Sequence, residues 1–125
     1  MTTLLVALAG GLGAVARLVL DAVVTSRAGG RYPAGTLTVN ASGSLLLGLV
    51  VGLGSAALLP PTWALVMGTG FLGGYTTFST AAVETMRLTA ERRWAAAVAH
   101  GLGMLGVSVL AAALGLGVGM VLVGR

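Results

Sequence analysis

The stretch Gly68-Thr69-Gly70-Phe71-Leu72-Gly73-Gly74-Tyr75-Thr76-Thr77-Phe78-Ser79-Thr80 sets four glycines and then a run of hydroxyl side chains inside an otherwise apolar segment. Backbone that leaves the helix at membrane depth is tolerated only where it is buried in protein or lines a cavity, because hydrocarbon cannot hydrogen-bond the freed N–H and C=O groups. The stretch therefore predicts a spanning helix broken at mid-membrane, and it marks a polar site or pathway.

Composition points to the same class. Of the 125 residues, 57% are hydrophobic and 8% charged, and mean hydropathy is +1.02, which leaves too little polar surface to coat a soluble globule. The 21 glycines fit membrane helices, where small residues let backbones approach closely. With no cysteine there is no disulfide, thiolate metal site or cysteine nucleophile. The net charge of +4 comes from arginine without an aromatic-basic patch, so no nucleic-acid partner is expected.

The chain reads as a single four-helix transmembrane domain, 1–125, with helices at about 3–24, 37–59, 63–88 and 94–123, each near the roughly 20 residues a bilayer requires. The connections carry turn chemistry, including Pro60-Pro61 and Glu91-Arg92-Arg93. The first stretch lacks a basic leader and holds Arg17 well inside, so it reads as a mature helix rather than a cleaved signal peptide. The spacings Ser44, Gly48, Gly52 and Ala111, Gly115, Gly119 predict close-packing stripes on the second and fourth helices. If the helices alternate in direction, Arg27, Arg31, Arg87, Arg92 and Arg93 share one side against Arg125 on the other. That bias predicts extracytoplasmic termini for a multi-pass protein of a bacterial-type plasma membrane.

Polar residues inside the spans carry the chemistry. Thr36, Asn40 and Ser44 stack on one helix face, and Thr76, Thr80 and Glu84 form a second stripe with Thr77 and Ser79 beside it. Asn40 has two readings: interhelical glue, or a donor to a ligand at membrane depth. Arg17 stands four residues before Asp21, where the two can pair; it either snorkels to the interface or lines an electropositive vestibule. Glu84 with Arg87, and Arg87 with Glu91, read as interfacial pairs, and His100 as a hydrogen-bonded core residue. Gly11-x-Gly13-x-x-Ala16 matches a dinucleotide fingerprint, but no acidic residue follows at the required distance and no α/β domain has room to form. Those glycines read as a helix contact. No ATP site or coupling carboxylate stands out, so the chain is not expected to be an enzyme.

Three motifs in order, Gly10-Gly11-x-Gly13-Ala14-x-x-Arg17, Gly35-Thr36-Leu37-x-Val39-Asn40-x-x-Gly43 and Gly70-Phe71-x-Gly73-Gly74-x-Thr76-Thr77-Phe78-Ser79-Thr80, make the chain resemble the small fluoride-channel family of the CrcB or Fluc type over essentially its whole length. The resemblance implies an all-α membrane protein that works as an antiparallel dimer, with two fluoride paths along the subunit interface. It assigns the path to Asn40, Phe78, Ser79, Thr80 and Thr36, and the vestibule to Arg17. It implies a structural Na+ at the dimer centre, held by backbone carbonyls of Gly73 and Thr76.

One departure bears on this. Where the family usually carries a second phenylalanine the chain has Ala81, followed by Ala82 where a serine is common. Together with the arginine bias, this favours a heterodimer with a homologous subunit of opposite orientation over a homodimer. The expected partners are thus fluoride, that subunit and membrane lipid, and the expected function is passive release of cytoplasmic fluoride. The alternatives are a non-conducting accessory subunit of such a heterodimer, or a small multidrug exporter. The exporter would need a glutamate in the first helix, where this chain has Arg17.

Overall fold

The computed structural model describes residues 1–29, 32–55 and 57–124, without the side chain of Val123. Arg31 and Arg125, which enter the arginine count above, lie outside them. The chain is helical: α1 (Thr2–Arg27), α2 (Ala34–Ser55), α3 (Pro61–Leu65), a π-helical turn (Val66–Leu72), α4 (Gly73–Tyr75), α5 (Phe78–Ala90) and α6 (Trp94–Val123). Of the described helices, α1, α2 and α6 are long and apolar enough to cross a membrane.

The third apolar stretch is built differently. Helical geometry runs from Pro61 to Tyr75 through the π-helical turn, stops, and restarts at Phe78. At 1.5 Å per residue each half is only about 20 Å long, short of a hydrocarbon core of about 30 Å. Only the two halves together reach that span.

The glycines of this stretch are not where the helix stops. Gly68 and Gly70 lie in the π-helical turn and Gly73 and Gly74 in α4, while the extended residues are Thr76 and Thr77. Gly70 and Gly74 serve contact with α1, Gly68 faces Leu47 and Val50 of α2, and Gly73 meets no other helix. A Cβ at Gly74 would overlap the carbonyl of Gly10, and one at Gly13 would overlap the carbonyl of Phe71. Of the Gly11-x-Gly13 pair, Gly13 makes the expected helix contact, whereas Gly11 is exposed and meets nothing within 4 Å.

α2 and α6 pack along most of their length through the expected small residues. Gly48 lies against the backbone of Ala112, Gly115 against that of Leu45, and Gly52 against Gly119. The buried core is small, centred on Val39, Leu72 and Tyr75 with Ala16, Leu20, Val50 and Phe71 against it. Tyr75 stacks on Phe71 and shares a hydrogen bond with Ser42 at 2.9 Å. Large apolar side chains such as Leu12, Leu18, Leu110 and Leu114 point outward, as suits a surface facing lipid.

Candidate functional site

The site is built on the interruption between α4 and α5. Thr76 (φ −79°, ψ 160°) and Thr77 (φ −148°, ψ 124°) are extended. The Thr77 hydroxyl accepts the N–H of Thr80 at 3.2 Å, which caps the start of α5. The Thr77 backbone is held from α2. Its N–H donates to Asn40 Oδ1 at 2.8 Å, and its carbonyl accepts from Asn40 Nδ2 at 2.8 Å. This cyclic pair fixes the amide orientation, because a backbone N–H only donates and a carbonyl only accepts. Asn40 thereby serves as interhelical glue, supplying polar partners where the helix cannot.

One Asn40 hydrogen is left over. It points to the thioether of Met104 on α6, with Nδ2 3.2 Å from Sδ. A thioether is a weak acceptor, so this N–H is the least committed polar group of a side chain that is 8% exposed. One turn away lies a second polar layer. Thr36 donates to Glu84 Oε1 at 2.6 Å, and His100 Nε2 stands 3.3 Å from Glu84 Oε2. His100 is fully buried, with the ring of Tyr32 edge-on against it.

The Asn40 layer borders an open groove of about 620 Å³ between α2, α5 and α6, lined among others by Ser44, Thr76, Phe78, Ala81 and Ser108. Its walls are mainly apolar, with Asn40 among the few polar side chains that line it. Phe78 is 88% exposed. A smaller polar cavity of about 210 Å³ is lined by Asp21, Tyr32, Glu84, Arg87 and Glu91.

Of the residues singled out from sequence, Asn40, Phe78 and Thr76 come together at the groove. Ser79 and Thr80 cluster with the Thr77 hydroxyl, at 3.3 and 3.0 Å, beside that lining rather than in it. Thr36 sits in the second layer with Glu84. Arg17 is half-buried on α1, its Nε without a hydrogen-bond partner. The expected Arg17–Asp21 pair does not form among the described residues; Asp21 instead accepts from Thr25 at 3.2 Å. Nor does Glu84 pair with Arg87, since α5 turns Glu84 inward to Thr36 and His100. Arg87 and Glu91 do pair, at 3.1 Å.

Neither Met104 nor the approach of His100 to Glu84 is singled out from sequence, and the hydrogen bond expected of His100 does not form among the described residues: both ring nitrogens are buried without a hydrogen-bond partner. The signal lay in the spacing, because His100, Met104 and Ser108 recur every four residues on α6 as Thr36, Asn40 and Ser44 do on α2.

Of the two carbonyls expected to hold Na+, those of Gly73 and Thr76, the one at Gly73 has the character of a ligand for a hard cation. The Thr77 N–H that would close the next helical turn onto the Gly73 carbonyl is taken by Asn40, so that carbonyl is free of its helical donor. Gly73 is exposed, and carbonyls at a helix C-terminus carry partial negative charge. A carbonyl oxygen is the kind of ligand that Na+ would take.

These features define a class: a helical membrane protein with several apolar helices and a polar site where the chain between α4 and α5 leaves helical geometry. The family described as CrcB-like protein, Camphor Resistance (CrcB), matches residues 4–116. Fluoride-specific ion channel FluC 1 of Leifsonia xyli subsp. xyli is 53% identical over 95% of this chain and 87% of its own length. FluC 2 of Cutibacterium acnes is 48% identical over 95% of the chain and 98% of its own length. FluC of Solibacter usitatus is 45% identical over 82% and 85%. The chain belongs to the CrcB/FluC family.

Proposed function

We propose that the chain is a subunit of a fluoride-selective channel that lets cytoplasmic fluoride leave passively. The relatives above carry the name fluoride-specific ion channel. The observation that carries the reading is Asn40: a buried carboxamide, anchored to an interrupted helix, with one N–H directed only at a weak acceptor beside an open groove.

In this reading the interruption sits at membrane depth. Hydrogen fluoride crosses membranes uncharged and ionises in the more neutral cytoplasm, where the anion is trapped. Moving a bare monovalent ion into hydrocarbon costs on the order of tens of kcal/mol, so release needs a lined path. Asn40 offers a donor to the anion, and Phe78 offers a ring edge, the positive part of its quadrupole. Ser79 and Thr80, beside the groove, and Thr36, whose hydroxyl would have to leave Glu84, would add further hydroxyls, so that binding is spread over several weak sites and the ion can exit. Arg17 draws anions to the mouth.

In this reading a second subunit in inverted orientation covers the groove and Phe78, which is 88% exposed beside it. The carbonyls of Gly73 and Thr76 from both subunits then face each other. Na+ bound there would neutralise the opposed carbonyl ends. With extracytoplasmic termini fixed by the arginine bias, the inverted subunit is a homologue rather than a copy.

Ala81 on the groove wall supports a second reading, in which this subunit completes a partner's path and its own does not conduct. Reconstitution into liposomes, alone and with a homologue of opposite arginine bias, tests both. The first reading expects fluoride efflux from the pair that is lost on Asn40 substitution in this chain. The second expects efflux that survives it. Rapid efflux from the chain alone would contradict the heterodimer.

A further inference from the structure

We propose that Met104 is a displaceable acceptor that holds the anion-donating N–H of Asn40 and so sets how tightly and how selectively the site takes a small anion. The inference rests on the reading of Asn40 given above. It begins with the valences of one side chain. A carboxamide has an acceptor oxygen and two N–H groups. In Asn40 the oxygen and one N–H are committed to Thr77, at 2.8 Å each. Drawing that N–H away would strand a carbonyl at the interruption and loosen the start of α5. The remaining N–H meets Met104 Sδ at 3.2 Å, and a ligand from the groove must take this hydrogen.

The occupant is suited to giving way. A buried N–H with no partner is costly, and sulfur reduces that cost without matching an oxygen or an anion. Met104 is 7% exposed, yet it lines the groove, and its unbranched side chain has three rotatable bonds with open space on one side. No stronger acceptor among the described residues holds this N–H. His100, one turn earlier, faces Glu84. The exchange favours an anion that gains most over sulfur as an acceptor and needs least room. Fluoride meets both conditions better than chloride.

The test compares three replacements in proteoliposomes of the conducting assembly, reading fluoride efflux against fluoride concentration. Met104→Leu keeps the bulk and removes the acceptor; Met104→Gln keeps the length and installs a strong one. Replacing methionine by norleucine throughout keeps the shape and removes sulfur, which covers the event that Met104→Leu fails to assemble. The expected result is opposite signs. Without sulfur, half-saturating fluoride falls about three- to tenfold with maximal flux little changed, and with Gln it rises by a similar factor, as one modest hydrogen bond implies. Packing alone would move all variants the same way, and that outcome, or no movement, overturns the role of Met104. Asn40→Leu run alongside separates the claims. Loss of flux there with unmoved Met104 variants overturns the role of Met104 alone; undiminished flux there overturns the reading of the site, and this inference with it.

Discussion

The side chain of Asn40 and the backbone of Thr77 form a closed pair, each donating to and accepting from the other at 2.8 Å. One residue of α2 thereby holds the point between α4 and α5 at which the chain stops being helical. The same residue keeps an N–H in reserve, so bracing and ligand binding are divided among the polar atoms of one amide.

Asn40→Leu is expected to destabilise the protein by roughly 1–3 kcal/mol for each Thr77 group left unpaired in a buried site. Asn40→Asp keeps an acceptor for the Thr77 N–H but sets a carboxylate against the Thr77 carbonyl, and it is expected to melt below the wild type as well. Thermal unfolding in detergent, followed by loss of the monodisperse species, checks both.

The glycine contacts predict a position-dependent series. Gly74→Ala and Gly13→Ala place a methyl on the carbonyls of Gly10 and Phe71, where rigid backbone must move. A cost of about 1–3 kcal/mol or more follows from overpacking. Gly117→Ala meets nothing within 4 Å and is expected to be neutral or to stabilise α6 by up to about 1 kcal/mol. The same melting assay ranks the three.

Much of this was legible beforehand, for identifiable reasons. Apolar stretches near bilayer length and small residues every four positions are local signals, and they gave the helices and the α2–α6 contact. The hydroxyl-rich end of Gly68–Thr80 pointed to the interruption, but glycine drew attention to the wrong residues. Gly70 and Gly74 are where α1 comes close, whereas the extended pair is Thr76 and Thr77, held by a residue 37 positions away. Glu84 turning to His100 rather than Arg87 was not readable either. Spacing along one helix proposes the Arg87 pair, and only the packing of α5 against α6 decides for His100.

The His100–Glu84 contact predicts non-additivity. His100→Leu leaves the Glu84 carboxylate facing an apolar wall and is expected to cost roughly 1–3 kcal/mol, less than a fully buried pair because Glu84 is 24% exposed. Glu84→Gln in that background keeps an acceptor for Thr36 and removes the stranded charge, so the double variant is expected to be more stable than His100→Leu. A double-mutant cycle of unfolding free energies measures the coupling.

Ala81 faces the groove, which has room for a larger side chain. Ala81→Phe is expected to leave the melting temperature within a few degrees of the wild type. It is also expected to raise fluoride flux through the path in which this chain supplies the aromatic. A variant that folds but conducts no better would show that the aromatic on this subunit does not limit passage.

The most direct measurement is fluoride-electrode recording of efflux from liposomes containing the assembled protein, with internal chloride monitored in parallel. Rapid release of fluoride with chloride retained, abolished by Asn40→Asp in an assembly that is still intact, is the predicted result. Liposomes that keep their fluoride, or release it undiminished after Asn40→Asp, would contradict the account.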